Sequence, residues 1–150
     1  MTKLDGKIAL VTGASRGIGR AIAQTLAQHG ALVVGTATSE SGAQAIEQDL
    51  QSINPQCRGL VLNVSDDAQT DAVLSQIEKE IGAIAILVNN AGITRDNITM
   101  RMKDEEFDAV IATNLRGVFR ISRGVMRGMM KARAGRIINI SSVVAQMGNP

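Results

Sequence analysis

The chain contains no tryptophan and no tyrosine, and only two phenylalanines among its 150 residues. Its single cysteine, Cys57, cannot form an internal disulfide, a pattern expected of a reducing cytoplasm. No apolar stretch approaches the roughly 20 residues that span a bilayer, and the opening MTKLDGK lacks a signal-peptide core. A membrane partner is therefore not expected. The formal net charge of +2 gives no electrostatic reason to expect nucleic acid. No metal site is read from the chain.

What is present is an alternation of apolar runs and amphipathic stretches, with 45% of the residues hydrophobic, enough for one domain with a substantial core. Strands are expected at Ile8–Thr12, Ala31–Thr36, Arg58–Asn63, Ile84–Asn89 and Gly135–Ser141. Each is apolar on consecutive positions, as parallel strands buried on both faces are. Helices are expected at Ile18–His29, ending at a Gly30 cap, then at Ser41–Ser52 and Asp66–Ile81, with one long helix from Asp104 to Arg133. Such alternation predicts an α/β fold, a doubly wound parallel sheet of Rossmann type. Ligands of these sheets sit beyond the carboxyl ends of the strands, where strand order reverses.

The chemistry-bearing motifs fall at those ends. Lys7 to Gly19 read KIALVTGASRGIG, a strand that breaks into a turn with glycines at 13, 17 and 19 and then opens a helix. Glycine permits positive φ and close approach to a ligand, and the helix start presents unpaired N–H groups to an anion. Strand, glycine turn and helix in that order are the context a dinucleotide site requires. The second strand ends in Gly35-Thr36-Ala37-Thr38-Ser39, without the carboxylate that commonly binds an NAD ribose. Arg16 and Thr38 would suit a 2′-phosphate, which favours NADPH; a solvated loop charge and a turn or cap residue are their competing readings. Asn63 and Val64 either bracket an adenine or form the turn before the third helix. Asn89-Asn90-Ala91-Gly92 ends the fourth strand with residues small enough to admit a ribose and nicotinamide. An asparagine there can tie strand ends together, with Thr12 as a second polar anchor.

Taken together, Thr12-Gly-Ala-Ser-Arg-Gly-Ile-Gly19, Asn89-Asn-Ala-Gly92, Asn114 within ATNLRGVF and Ser142 after RIINIS resemble the short-chain dehydrogenase/reductase family along essentially the whole chain. GTATSESGAQAI, NNAGITRDN, MRMKDEEF and VMRGMMKARAGRIINISSVV narrow the likeness to members that reduce 3-oxoacyl thioesters of acyl carrier protein in bacterial fatty-acid synthesis. The resemblance implies NADPH as cofactor. Gly13, Ser15, Arg16, Gly17, Ile18 and Gly19 would hold its phosphates, with Thr38 beside the 2′-phosphate. Asn63 and Val64 would flank the adenine, and Asn90, Ala91 and Gly92 the ribose and nicotinamide. Ser142 would hydrogen-bond the substrate carbonyl as a catalytic residue, and Asn114 would kink its helix and hold a water of the proton relay. A cytoplasmic homotetramer is the implied assembly.

One departure is large. The family's proton donor is a tyrosine in Tyr-x-x-x-Lys beyond the catalytic serine, whereas here only eight residues follow Ser142 and tyrosine is absent. The expectation is therefore the N-terminal part of a longer enzyme, its sheet truncated after about the fifth strand. Gly135–Ser141 should then be an exposed apolar edge. General acid–base catalysis contributes ~10²–10⁴-fold, so the 150 residues alone should be nearly inactive. Another ketone substrate in the same family, or a catalytically silent nucleotide-binding module, remain as alternatives.

A further pattern lies on the long helix. Arg116, Arg120, Arg123 and Arg127 form a basic stripe, readable as a solvated face or a subunit interface. Leu115, Val118, Phe119, Ser122, Val125, Met126, Met129 and Met130 form a broad opposing face. Lys131, Arg133 and Arg136 would either meet an acidic carrier protein or complement the helix C-terminus.

Overall fold

In the computed structural model, which describes residues 3–148, five parallel strands form one sheet. In chain order the elements are β1 (Ile8–Val11), α1 (Gly17–Gln28), β2 (Leu32–Ala37), α2 (Glu40–Gln51), β3 (Arg58–Val61), α3 (Asp67–Glu80) and β4 (Ile84–Asn89). After a short 3₁₀ turn come α4 (Asp104–Ile111), α5 (Gly117–Ala132), β5 (Arg136–Asn139) and the single turn α6 (Val144–Met147). The sheet order is β3-β2-β1-β4-β5, so the winding reverses between β1 and β4. A crevice opens at their carboxyl ends for that reason.

Strand periodicity builds the two hydrophobic layers. Ala9, Val11, Val33 and Val88 face one way and pack with Ala23 and Ala27 of α1 and Ile46 and Leu50 of α2. Leu10, Val34 and Leu87 face the other way, onto Leu74 and Ile77 of α3 and Ile121, Val125 and Met129 of α5. Alternate residues thus serve opposite layers, and the consecutive apolar runs of β1, β2 and β4 are buried throughout their centres.

Burial on both faces does not extend to the outer strands. β3 is half exposed and all four residues of β5 are exposed, because an edge strand has a neighbour on one side only. The exposed apolar edge expected over 135–141 is present, in the shorter strand β5. The expected single helix from Asp104 to Arg133 is also corrected. α4 and α5 are joined by a π-helical turn, Ala112–Arg116, in which the Gly117 N–H reaches back to the Ala112 carbonyl. A Cβ on Gly117 would lie 2.7 Å from the Val64 carbonyl oxygen, so glycine lets α5 start against the end of the third βα unit.

The basic stripe divides. Arg116 pairs with Asp67, and Arg120 with Asp67 and Asp71, which ties α5 to α3. Arg123 instead lies 5.1 Å from the centre of the Phe119 ring. Of the opposing face, Val125 and Met129 enter the core, whereas Leu115, Phe119, Met126 and Met130 are exposed.

Candidate functional site

The turn after β1 is fixed by hydrogen bonds to the end of β4, and of its glycines only Gly17 faces open space. Gly13 and Gly17 have φ of +66° and +55°, left-handed values that a side chain would strain. Asn90 Nδ2 donates to the carbonyls of Thr12 and Gly13, at 3.1 and 3.0 Å, and so fastens the loop to the end of β4. A Cβ on Gly19 would overlap the Gly13 carbonyl and the Asn90 amide. That glycine sets how closely α1 approaches the loop.

Helix α1 begins without help. Arg16 occupies its cap position with no side-chain cap hydrogen bond, and no acidic residue lies in the first turn. By contrast, Ser39 Oγ accepts the Gly42 N–H to cap α2, and an Asp66 carboxylate oxygen accepts the Gln69 N–H to cap α3. An N-terminus with free N–H groups, the positive end of the helix dipole and no carboxylate is a seat for an anion.

In front of it lies a cleft of about 590 Å³. It brings together Gly13, Ser15, Arg16, Gly17, Ile18, Gly19, Thr38, Asn63, Val64, Asn90, Ala91 and Gly92, gathered from the carboxyl ends of four strands. Arg16 is the one charged residue among its lining residues. Thr12 is placed differently from the rest: it is buried beneath the cleft instead of lining it. Its Oγ1 accepts the Asn90 and Ala91 N–H groups, both at 3.0 Å, so it supports the floor on which a ligand would rest.

The competing readings of Thr38 and Asn63 meet local geometry. The cap of α2 is Ser39, which leaves Thr38 on the cleft wall. Asn63 Oδ1 accepts from the Ser65 N–H and Ser65 Oγ, at 3.1 and 2.7 Å, so its side-chain oxygen is spent in the turn while the residue still lines the cleft. Ala37, Leu62, Ile93 and Thr113 also line the cleft and were not anticipated from sequence. Thr113 lies within the π-helical turn, beside Asn114, where the resemblance implied a kink.

A second, adjoining space of about 750 Å³ continues past Asn90 to Asn114 and Ser142. Asn114 sits inside the π-helical turn. Its Oδ1 accepts the Ile93 N–H at 2.9 Å and its Nδ2 donates to the Ile93 carbonyl at 2.8 Å. Both side-chain atoms therefore hold the loop after β4. Ser142 follows β5 and is exposed, and its Oγ accepts the Val144 N–H at 3.4 Å. Cys57, by contrast, lies far from nucleophilic chemistry: it is fully buried, and burial pushes its thiol pKa up.

The family model for short chain dehydrogenases matches residues 7–150. The chain belongs to that family. Among curated relatives, it is 64% identical over 145 residues to a 3-oxoacyl-[acyl-carrier-protein] reductase of Escherichia coli strain K12, covering 97% of this chain and 58% of that protein. Corresponding reductases of Vibrio harveyi and Pseudomonas aeruginosa are 62% and 57% identical, each over 146 residues, with 97% of this chain and 59% of those proteins covered. This short-chain dehydrogenase thus spans a little under three fifths of the length of the relatives it matches. Among the described residues, no helix is long and apolar enough to cross a membrane.

The residues present fit the nicotinamide dinucleotide that family membership implies. The cleft lies at the switch point and is lined by the uncapped start of α1 and by the small residues Ala91 and Gly92. A Cβ on Gly92 would come within 3.3 Å of Asn114 Oδ1, a tight contact that favours glycine there.

Proposed function

We propose that the complete protein reduces a 3-oxoacyl-acyl carrier protein thioester to the 3-hydroxyacyl thioester with NADPH, and that residues 1–150 form its cofactor-binding part. The observation that carries this reading is the uncapped start of α1, which faces a cleft whose one charged lining residue is Arg16. The match to reductases of that name over 97% of the chain supports the substrate class.

In this reading the N–H groups of Ser15 to Gly19 receive the pyrophosphate, and Arg16 and Thr38 receive the 2′-phosphate. A guanidinium gives a phosphate paired, charge-assisted hydrogen bonds, and the absence of a carboxylate removes the repulsion it would meet. Asn63 and Val64 flank the adenine, and Asn90, Ala91 and Gly92 form the floor beneath ribose and nicotinamide. NADPH, when bound, supplies the hydride. Ser142 donates its hydroxyl proton in a hydrogen bond to the substrate carbonyl oxygen, which stabilises negative charge where it develops. Asn114 holds the loop after β4 and keeps the floor in place. No tyrosine is present, so the proton that completes the product hydroxyl is not drawn from a tyrosine of these residues. The exposed apolar residues of α5 support subunit pairing in the assembled enzyme, and Arg133 and Arg136 offer positive charge to an acidic carrier.

Fluorescence titration of the 150-residue chain tests the cofactor half: NADPH should bind, and NADH should bind more weakly. Equal affinities would remove the 2′-phosphate argument. NADPH oxidation with an acetoacetyl thioester, followed in the complete protein, tests the reaction. Absence of turnover there would leave a different ketone or a silent nucleotide-binding module.

A further inference from the structure

β5 is tied to the sheet by an amide, Asn89 Nδ2 donating to Asn139 Oδ1 at 2.9 Å. The π-helical turn Ala112–Arg116 lies off the sheet and is held by other means. Such turns are rare and concentrate at functional sites. On one side, Asn114 grips the Ile93 backbone at both its N–H and its carbonyl. On another, Gly117 lies against Val64, since a Cβ there would come within 3.1 Å of the valine side chain. At the end of the turn, Arg116 Nη2 donates to Asp67 Oδ2 in an ion pair with the first residue of α3.

Asp67 directly follows the turn that carries Asn63 and Val64 into the cleft, a turn braced by the Asn63 and Asp66 side chains. Thr113, within the π-helical turn, lines the same cleft, and so does Ile93. The ion pair therefore joins the wall assigned to the adenine to the turn that faces it. Arg120 and Asp71 pair one helical turn further from the cleft along both helices. We propose that Arg116 and Asp67 are positioning residues for the cofactor: their pair sets the distance between the Asn63–Val64 wall and the π-helical turn. This inference rests on the dinucleotide reading of the cleft. Neither residue lines the cleft, so the pair acts by holding two walls at ligand width. Its side chains are 65% and 30% exposed, which limits its contribution to that of a surface pair within a network.

The test uses the complete protein with Arg116→Met, Asp67→Asn, both together, and Asp71→Asn as a control that breaks only the outer pair. Fluorescence titration of Arg116→Met should show the NADPH and NADH dissociation constants raised alike, by about threefold. Asp67→Asn should match it, and the double variant should be no worse, because both changes remove one interaction. Exchange of the Ile93 amide, which bonds Asn114 Oδ1, should quicken in all three. Asp71→Asn should leave both affinities and Ile93 exchange as they were. Unchanged affinity in Arg116→Met overturns the proposal, as does an equal loss in Asp71→Asn or additive losses in the double variant. So does a loss confined to NADPH, the mark of a charge acting directly on phosphate. If the unsubstituted protein binds neither dinucleotide, the cofactor reading fails. Ile93 exchange then decides whether the pair holds the turn: quickened by Arg116→Met and not by Asp71→Asn if it does, unchanged in both if it does not.

Discussion

Val33 and Leu10 are wholly buried, whereas Ile137 and Ile138, the apolar pair of β5, are 39% and 45% exposed. The two ends of one sheet are thus held in different ways. Around the glycine loop, β1 has strands on both sides and helices on both faces, so the backbone is fixed by packing before any ligand arrives. At the serine end, β5 has one neighbouring strand, and its position depends on ladder hydrogen bonds and the Asn89 amide. Preorganisation of a cofactor cleft needs only the first kind of support. Placing the Ser142 hydroxyl, the proposed donor to the substrate carbonyl, from an edge strand needs the second.

The largest test of that contrast is Gly19→Val. The added side chain overlaps the Gly13 carbonyl and the Asn90 amide at once, so the loop must move. NADPH affinity should fall about a hundredfold, equivalent to ~3 kcal/mol of distortion, measured by fluorescence titration. Next come matched truncations read by urea unfolding of the 150-residue chain. Leu10→Ala should cost about 2–5 kcal/mol, and Ile138→Ala no more than about 0.5 kcal/mol. Similar costs at the two positions would show that β5 is packed as firmly as β1 and would erase the comparison.

Arg16→Ala sharpens the electrostatic side of the cleft. About tenfold loss of NADPH affinity with NADH affinity unchanged is expected from binding isotherms of the two cofactors. The smallest effect concerns the support behind the cleft. Arg20 of α1 donates twice to Asp49 of α2, at 2.9 and 3.0 Å, and this hydrogen bonding holds the Asp49 carboxyl below its usual range. A depressed carboxylate stabilises the fold above its ordinary pKa of about 4, and that contribution is lost as pH falls through the lowered value. Arg20→Met should therefore lower the melting temperature slightly near neutral pH. The difference should shrink in acid, where the parent chain loses the pair as well.

Much of the fold was legible because local patterns and global topology agree. Gly30, at φ +91°, ends α1 where a helix stop was expected, and the apolar runs of β1, β2 and β4 lie in the sheet centre. The twelve residues expected along the phosphates, adenine, ribose and nicotinamide line one cleft, since they sit at strand ends that parallel winding brings to one side. Thr12, read as a polar anchor, lies one layer beneath them with its hydroxyl turned to the backbone of Asn90 and Ala91. The kink that the resemblance implied at Asn114 is present as the π-helical turn at Ala112–Arg116; its form was not legible, for its residues carry an ordinary helical pattern. Nor could spacing reveal that Arg116 and Arg120 face α3, as Asp67 and Asp71 lie 49 residues earlier.

The sequence by itself determined the order of strands and helices, the conformational freedom of the glycine loop and the absence of a carboxylate after β2. Those are properties of side-chain size, periodicity and charge, which a chain carries before it folds. Tertiary structure alone decided which helix starts were capped, and whether an asparagine braces the loop or the serine strand. Such choices depend on partners brought from distant positions, as the Asn89–Asn139 pair is from 50 residues away. The strength of hydrogen bonding at an edge strand is fixed only when those partners meet.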